Sequence, residues 1–249
     1  MSALAEALAL YRANRLDAAE ERLRGILAAT PADAEALHLL GVVALGRGRA
    51  AEAAALMEQA VTHQPTLATA WQNLGVAYTT LGQTAKVARA LGRAVALTPD
   101  NANLLGKFAD ALQGIGRAAD AVPLYERAIA LAPTSPLAFN NLGVALAALN
   151  RSEAAIAAYA CAIALNPRDA GALSNLASAY RATGRGTEAL AAFRQALAIA
   201  PDMADTHFNV ANLFTQAHRR AEALVHYQAA ARLLPNGLHT QREYLYNLL

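Results

Sequence analysis

Four asparagines, Asn73, Asn141, Asn175 and Asn209, stand apart by 34 residues or twice that, and Lys107 fills the gap in the series. A carboxamide carries one acceptor and two donors, which suits both the N–H and the C=O of a peptide unit. A row of such amides has the chemistry to hold an extended polypeptide by its backbone without reading its side chains. Each bond contributes about 0.5–1.5 kcal/mol net, so four rungs supply roughly 2–6 kcal/mol before ordering costs. Weak to moderate affinity is expected unless side chains add contacts. Asp110 and Asn212 follow Lys107 and Asn209 by three residues, one helical turn further along the same face. Lys107 and Asp110 are spaced either for a local ion pair or for a single point of specificity.

Little else in the chain has the spacing of a reaction centre. The six histidines form no HExxH pair, and neither G-x-S-x-G nor a P-loop occurs. The glycines of ALGRGRA and ATGRGTE are accounted for as turn residues. The single cysteine, Cys161, has no motif around it; it cannot form an internal disulfide and reads as a small buried or half-buried helix residue. No catalytic residue, metal site or cofactor is expected.

The elements that carry the asparagines are set by a ruler of prolines. Pro31, Pro65, Pro99, Pro133, Pro167, Pro201 and Pro235 are seven of the nine prolines, each 34 residues from the next. The chain is a repeat array. With this proline as position 32, the repeats are 1–33, 34–67, 68–101, 102–135, 136–169, 170–203 and 204–237. Position 8 is only Gly or Ala: Ala7, Gly41, Gly75, Ala109, Gly143, Ala177, Ala211. Two helices must approach closely there. Position 20 is small throughout, and position 27 is alanine in all but the first repeat, which has Ile26. Large residues complement them, among them Trp71, Leu74, Tyr78, Phe139, Leu142 and Tyr180 on the first helix and Met57, Leu91, Tyr125, Tyr159, Phe193 and Tyr227 at position 24. Position 15, with Asn14, Gly48, Gly82, Gly116, Asn150, Gly184 and His218, suits a left-handed turn between two helices. Each repeat therefore reads as a helical hairpin closed by its proline.

These residues resemble the tetratricopeptide repeat family, which the pattern W71-Q-N-L74-G75-V-A-Y78 matches most fully; the resemblance covers residues 1–237. It implies an all-α fold, an α-solenoid in which seven helical hairpins stack into a right-handed superhelix whose first helices line the concave side. On the first helix, positions 4, 7, 8 and 11 share the core face, and positions 2, 6, 9 and 13 lie opposite, toward the groove. Asn140 falls on the shoulder of that face. Val76, Val144, Ala148, Gly171, Ser178 and Ala182 leave the central groove open and rather apolar. The competing account of the asparagines is a merely solvated polar face.

Within the family, F139-N-N-L-G-V-A-L, A172-L-S-N-L-A-S-A-Y180 and H207-F-N-V-A-N-L-F214 resemble the repeat arm of protein O-N-acetylglucosaminyltransferases and Spindly-type proteins. That resemblance implies an asparagine ladder holding an acceptor polypeptide, with a catalytic domain supplied elsewhere. A carboxylate clamp of the type used by chaperone-tail-binding members is not expected, because His38, Val42, Asn73, Asn103 and Lys107 bring too few cations together. At position 16, Arg15, Arg49, Arg117, Arg151, Arg185 and Arg219 form a rim stripe. It is read as cations favourable just past a helix C-terminus, with docking of an acidic partner as the alternative.

The 21 basic and 19 acidic residues are scattered, giving a formal net charge of +2, which argues against nucleic acid or an anionic membrane as main partner. The start shows no signal-peptide pattern, no stretch reads as a membrane span, and a cytoplasmic location is expected. Residues 238–249 read as a capping helix, since Leu245 at position 8 cannot accept a packed second helix. Its apolar YLYNLL end has three open outcomes: packing on the last repeat, homodimer formation, or continuation into another domain. The function expected is a non-catalytic scaffold that binds extended or disordered protein segments; the enzyme arm and a self-assembling scaffold are the alternatives.

Overall fold

The structure, a computed structural model, describes residues 2–234. Among them are fourteen helices and no strand. They form two compact units, divided between Leu131 and Ala132. The first contains α1 (Ala3–Arg12), α2 (Leu16–Ala29), α3 (Ala34–Gly46), α4 (Ala50–His63), α5 (Ala68–Thr80), α6 (Thr84–Leu97), α7 (Ala102–Gly114) and α8 (Ala118–Leu131). The second contains α9 (Pro136–Ala148), α10 (Ser152–Leu165), α11 (Ala170–Ala182), α12 (Gly186–Ile199), α13 (Ala204–Gln216) and α14 (Arg220–Leu233). Each odd helix packs on the even helix that follows, and within each unit each even helix packs on the first helix of the next hairpin. The chain is thus an all-α repeat fold of the solenoid class.

Backbone chemistry fixes the hairpin. All seven position 15 residues adopt positive φ, from 56° at Asn14 to 78° at Gly116. In every hairpin the position 16 N–H then reaches back to the position 11 carbonyl, as in Arg15 to Leu10 and Arg185 to Tyr180, both 2.9 Å. This six-to-one bond satisfies a carbonyl at the helix end. The second helix stops two residues before the ruler proline, and the intervening residue is extended, as at Asn166 with φ −138° and ψ 87°. The proline carbonyl serves as an acceptor for position 4 of the next repeat: Trp71 Nε1–H donates to Pro65 O at 2.8 Å, and His207 Nε2–H to Pro201 O at 3.0 Å. Ser2, Asp33, Asn101, Ser135 and Asp169 cap the first helices through their side chains. Pro136 adds a preset N1 residue.

The hairpin closes where position 8 meets position 24. A Cβ built on Gly41 would lie 2.9 Å from Met57 Cγ, on Gly75 2.7 Å from Leu91 Cδ2, and on Gly143 2.6 Å from Tyr159 Cε1. The repeats with alanine at this place bury it fully, as at Ala7, Ala109, Ala177 and Ala211. Positions 20 and 27 are the other small, buried contacts, with only Ile26 partly exposed.

Two sequence expectations change. Position 16 begins the second helix, serving as its N-cap at Arg15, Arg49, Arg151, Arg185 and Arg219, so these cations sit at the unfavourable end of that helix dipole. Carboxylates three residues later offset this in four repeats: Arg49–Glu52 at 2.9 Å, Arg117–Asp120 at 2.7 Å, Arg185–Glu188 at 2.9 Å, and Arg219–Glu222; Arg15 and Arg151 have Ala18 and Ala154 there. Arg185 and Arg219 also lie over the position 11 rings of Tyr180 and Phe214. Cys161 is exposed, not buried, because its place on α10 faces away from both neighbouring helices. Pro123 sits inside α8 at an exposed position, an interior proline that the 34-residue period does not foretell. The capping helix expected over 238–249 lies outside the described residues. No helix among the described residues is long and apolar enough to cross a membrane.

In the first unit Glu20 joins three hairpin elements. It accepts from Arg49 at 2.6 Å and from Arg24 at 2.7 Å, and Arg47 lies beside it. The Arg49 bond, then the Arg24 bond, hold its carboxyl down at about 2. A lowered folded value means that the stabilisation is complete above the ordinary carboxylate range near 4.5 and is lost as pH falls toward 2. Comparison of thermal unfolding of wild type and Glu20→Gln should show a gap at pH 7 that closes by pH 2; a pH-independent gap would contradict this linkage. Gly143→Ala should cost about 1–3 kcal/mol in urea unfolding, because the Tyr159 ring must move; an unchanged midpoint would show that the approach is not tight.

Candidate functional site

In the first unit, α5 and α7 present the groove face of their hairpins, with α6 behind. A cleft of about 570 Å³ opens between the three helices. Its floor is Val76, Val87, Leu91 and Leu104, and its polar edge includes Gln72, Asn73, Asn103, Lys107 and Asp110. Val76, 47% exposed, leaves an apolar surface in the middle of these polar groups. Asn73 and Lys107, two of the expected rungs, therefore share one concavity. Lys107 is exposed and has no ion pair among the described residues.

Asn73 is not a free amide. Its Nδ2 lies 2.8 Å from His38 Nε2 on α3. An amide N–H can only donate, so the imidazole accepts at Nε2 and carries its proton on Nδ1. Burial pushes the His38 ring below its ordinary value of 6.5, which favours this neutral form.

The second unit repeats the arrangement with amides alone. Asn175 Nδ2 donates to Asn140 Oδ1 at 3.0 Å, and Asn140 Nδ2 donates to Asn141 Oδ1 at 3.3 Å. Asn140, placed by its sequence on the shoulder of the groove, thus ties two rungs together. Leu137, one turn before Asn141, is 65% exposed, so an apolar surface again accompanies the amides. Asn209 is half-buried and makes no side-chain hydrogen bond among the described residues. Ser174, its counterpart in the register, is engaged by Thr206 at 2.9 Å instead.

Asp110 and Asn212 have a common partner at position 24. The hydroxyl of buried Tyr125 donates to Asp110 Oδ1 at 2.5 Å, and that of Tyr227 donates to Asn212 Oδ1 at 2.6 Å. Burial, then the Asp110 bond, raise the Tyr125 phenol. The repeat with Tyr159 has Val144 at the equivalent position 9, and burial alone pushes the Tyr159 phenol up to about 12. The signal was in the sequence, since a polar residue at position 9 accompanies tyrosine at position 24 in two of the three repeats that have it.

A hairpin repeat with this turn, this close contact and this proline defines a class of helical repeat protein. Family models described as tetratricopeptide repeat match residues 4–68, 44–107, 107–170 and 168–236, and the chain belongs to the tetratricopeptide repeat family. Among solved structures, Cut9 with Hcn1 in an APC/C hetero-tetramer is 19% identical with a TM-score of 0.67, over 98% of this chain but 48% of that one. YrrB, described as a TPR protein with an unusual peptide-binding site, is 20% identical with a TM-score of 0.67, covering 73% of this chain and 93% of its own. The C-terminal part of a TPR repeat-containing protein from Cytophaga hutchinsonii is 16% identical with a TM-score of 0.72, covering 96% and 98%. At these identities the likeness is one of fold. No curated protein matches the chain significantly.

Asp110→Ala should destabilise the fold by about 1–3 kcal/mol by removing the strongest acceptor of a buried hydroxyl, and Tyr125→Phe in that background should recover part of the loss. Chemical denaturation of the two single variants and the double variant measures this coupling; strict additivity would mean that the bond contributes nothing.

Proposed function

We propose that the chain is a non-catalytic protein-interaction scaffold whose first-helix face binds an extended segment of a partner protein. Asn73, Asn141, Asn175 and Asn209 are the backbone-holding groups. The observation that carries this reading is the cleft of about 570 Å³ in which Asn73 and Lys107 edge an apolar floor containing Val76. A solvated face needs no concavity, whereas a bound segment needs both an apolar seat for side chains and donors and acceptors for its backbone. The second unit offers the same pairing in Asn141, Asn175 and exposed Leu137. A peptide-binding site described for YrrB, a protein of the same fold, agrees with this use of the scaffold.

The test is selection of 12-residue peptides from a random display library by the full chain. Selected peptides should bind the Asn73→Ala, Asn141→Ala, Asn175→Ala, Asn209→Ala variant at least about thirtyfold more weakly, while circular dichroism shows equal helicity and melting. Undiminished binding would leave the amides as a solvated face. The asparagine phrases also carry a second reading, the substrate-recruiting arm of a protein O-N-acetylglucosaminyltransferase. On that reading, the chain fused to such an enzyme's catalytic domain should increase sugar transfer to the selected peptides; equal transfer without the fusion rejects it.

A further inference from the structure

In each unit one position 6 asparagine has a partner in the repeat before. Asn73 on α5 donates to His38 on α3, and Asn175 on α11 donates to Asn140 on α9. The two bonds have the same register: the donor is position 6 of one repeat and the acceptor position 5 of the repeat before, 35 residues earlier in both cases. The geometry points to position 5 as a positioning site, and we infer that His38 and Asn140 hold the amides of Asn73 and Asn175 ready for a peptide backbone. This inference rests on the groove reading proposed above.

The argument follows from the valence of the amide. One N–H of Asn73 is taken by His38, which fixes the amide plane; the second N–H and the Oδ1 lone pairs remain for a ligand C=O and N–H. An unlatched side chain would have to be ordered on binding, and that cost is what preorganisation removes. His38 makes the latch chemically distinct from its counterpart. Only the neutral ring accepts at Nε2, so protonation replaces the acceptor with a donor facing a donor. Burial of the ring is the only cause acting on its titration; no carboxylate or cation on its own helix or on α1, α2, α4 or α5 contributes. The latch is therefore intact at neutral pH and opens as pH falls below the ordinary histidine range. The Asn140 latch has no titrating group and stays closed.

The test uses the full chain and the peptides selected by wild type. His38→Ala should weaken binding about three- to tenfold, close to the loss in Asn73→Ala, with no further loss when the two are combined. His38→Gln keeps an acceptor and should restore binding. Wild-type affinity should fall in acid, while His38→Gln and Asn73→Ala should be flat over the same range once binding is referred to pH 7. Nuclear magnetic resonance of the unliganded chain reads the latch directly, since the Asn73 side-chain amide signals should titrate together with the His38 ring. If the peptides lose affinity in Asn73→Ala but not in His38→Ala, and wild type has no acid dependence, the latch is overturned and the groove stands. If no peptide depends on the asparagines, the groove reading falls and the positioning role falls with it. Asn73 signals that ignore His38 titration overturn the latch independently of any ligand.

Discussion

The hairpin depends on one steric constraint: position 8 must let the position 24 side chain of the facing helix come within contact of the backbone. Gly143 under the Tyr159 ring shows its tightest form, and buried Ala109 beside Tyr125 its looser one. Once the two helices are held at that distance, the core face of the first helix is determined. The opposite face is determined with it, because 3.6 residues per turn leave position 6 pointing away from the contact. A polar side chain at position 6 is therefore placed on the groove side by a small residue two places later.

That coupling explains why the architecture could be read from residue types alone. Proline marks the end of each second helix, position 15 marks the left-handed turn, and Gly or Ala at position 8 marks the contact. Each signal is local, has a steric or backbone cause, and occurs in register in seven repeats. The division after Leu131, the interior Pro123 and the exposure of Cys161 were not legible, because they depend on how particular repeats depart from the pattern.

The site was legible in part. The period located the rungs, but hydrogen-bond partners are a matter of neighbouring repeats, and a scan down one column does not compare it with the adjacent column. His38 and Asn140 were visible as residues and invisible as partners for that reason. The arginines at position 16 had the opposite difficulty. Their column was obvious, yet their role depended on which helix they adjoin, and the single step from the turn residue to position 16 places them at an N-terminus. There a carboxylate at position 19, for Arg49, Arg117, Arg185 and Arg219, and a ring at position 11, for Arg185 and Arg219, complete their surroundings. Repeat three, with Gln83 at position 16, instead places Lys86 from position 19 over Tyr78.

These ring, carboxylate and guanidinium groups are all contributed from within one 34-residue period, as are the turn and the close helix contact. The latch, like the Glu20 cluster and the Trp71–Pro65 bond, has its two halves in successive repeats. Duplication or loss of a whole repeat by recombination would leave every intra-repeat interaction as it was, while forming new neighbours at positions 5 and 6. Such events would therefore spare each hairpin and act on the contacts between hairpins, which makes the latch one of the places in this architecture where copying a repeat creates variation.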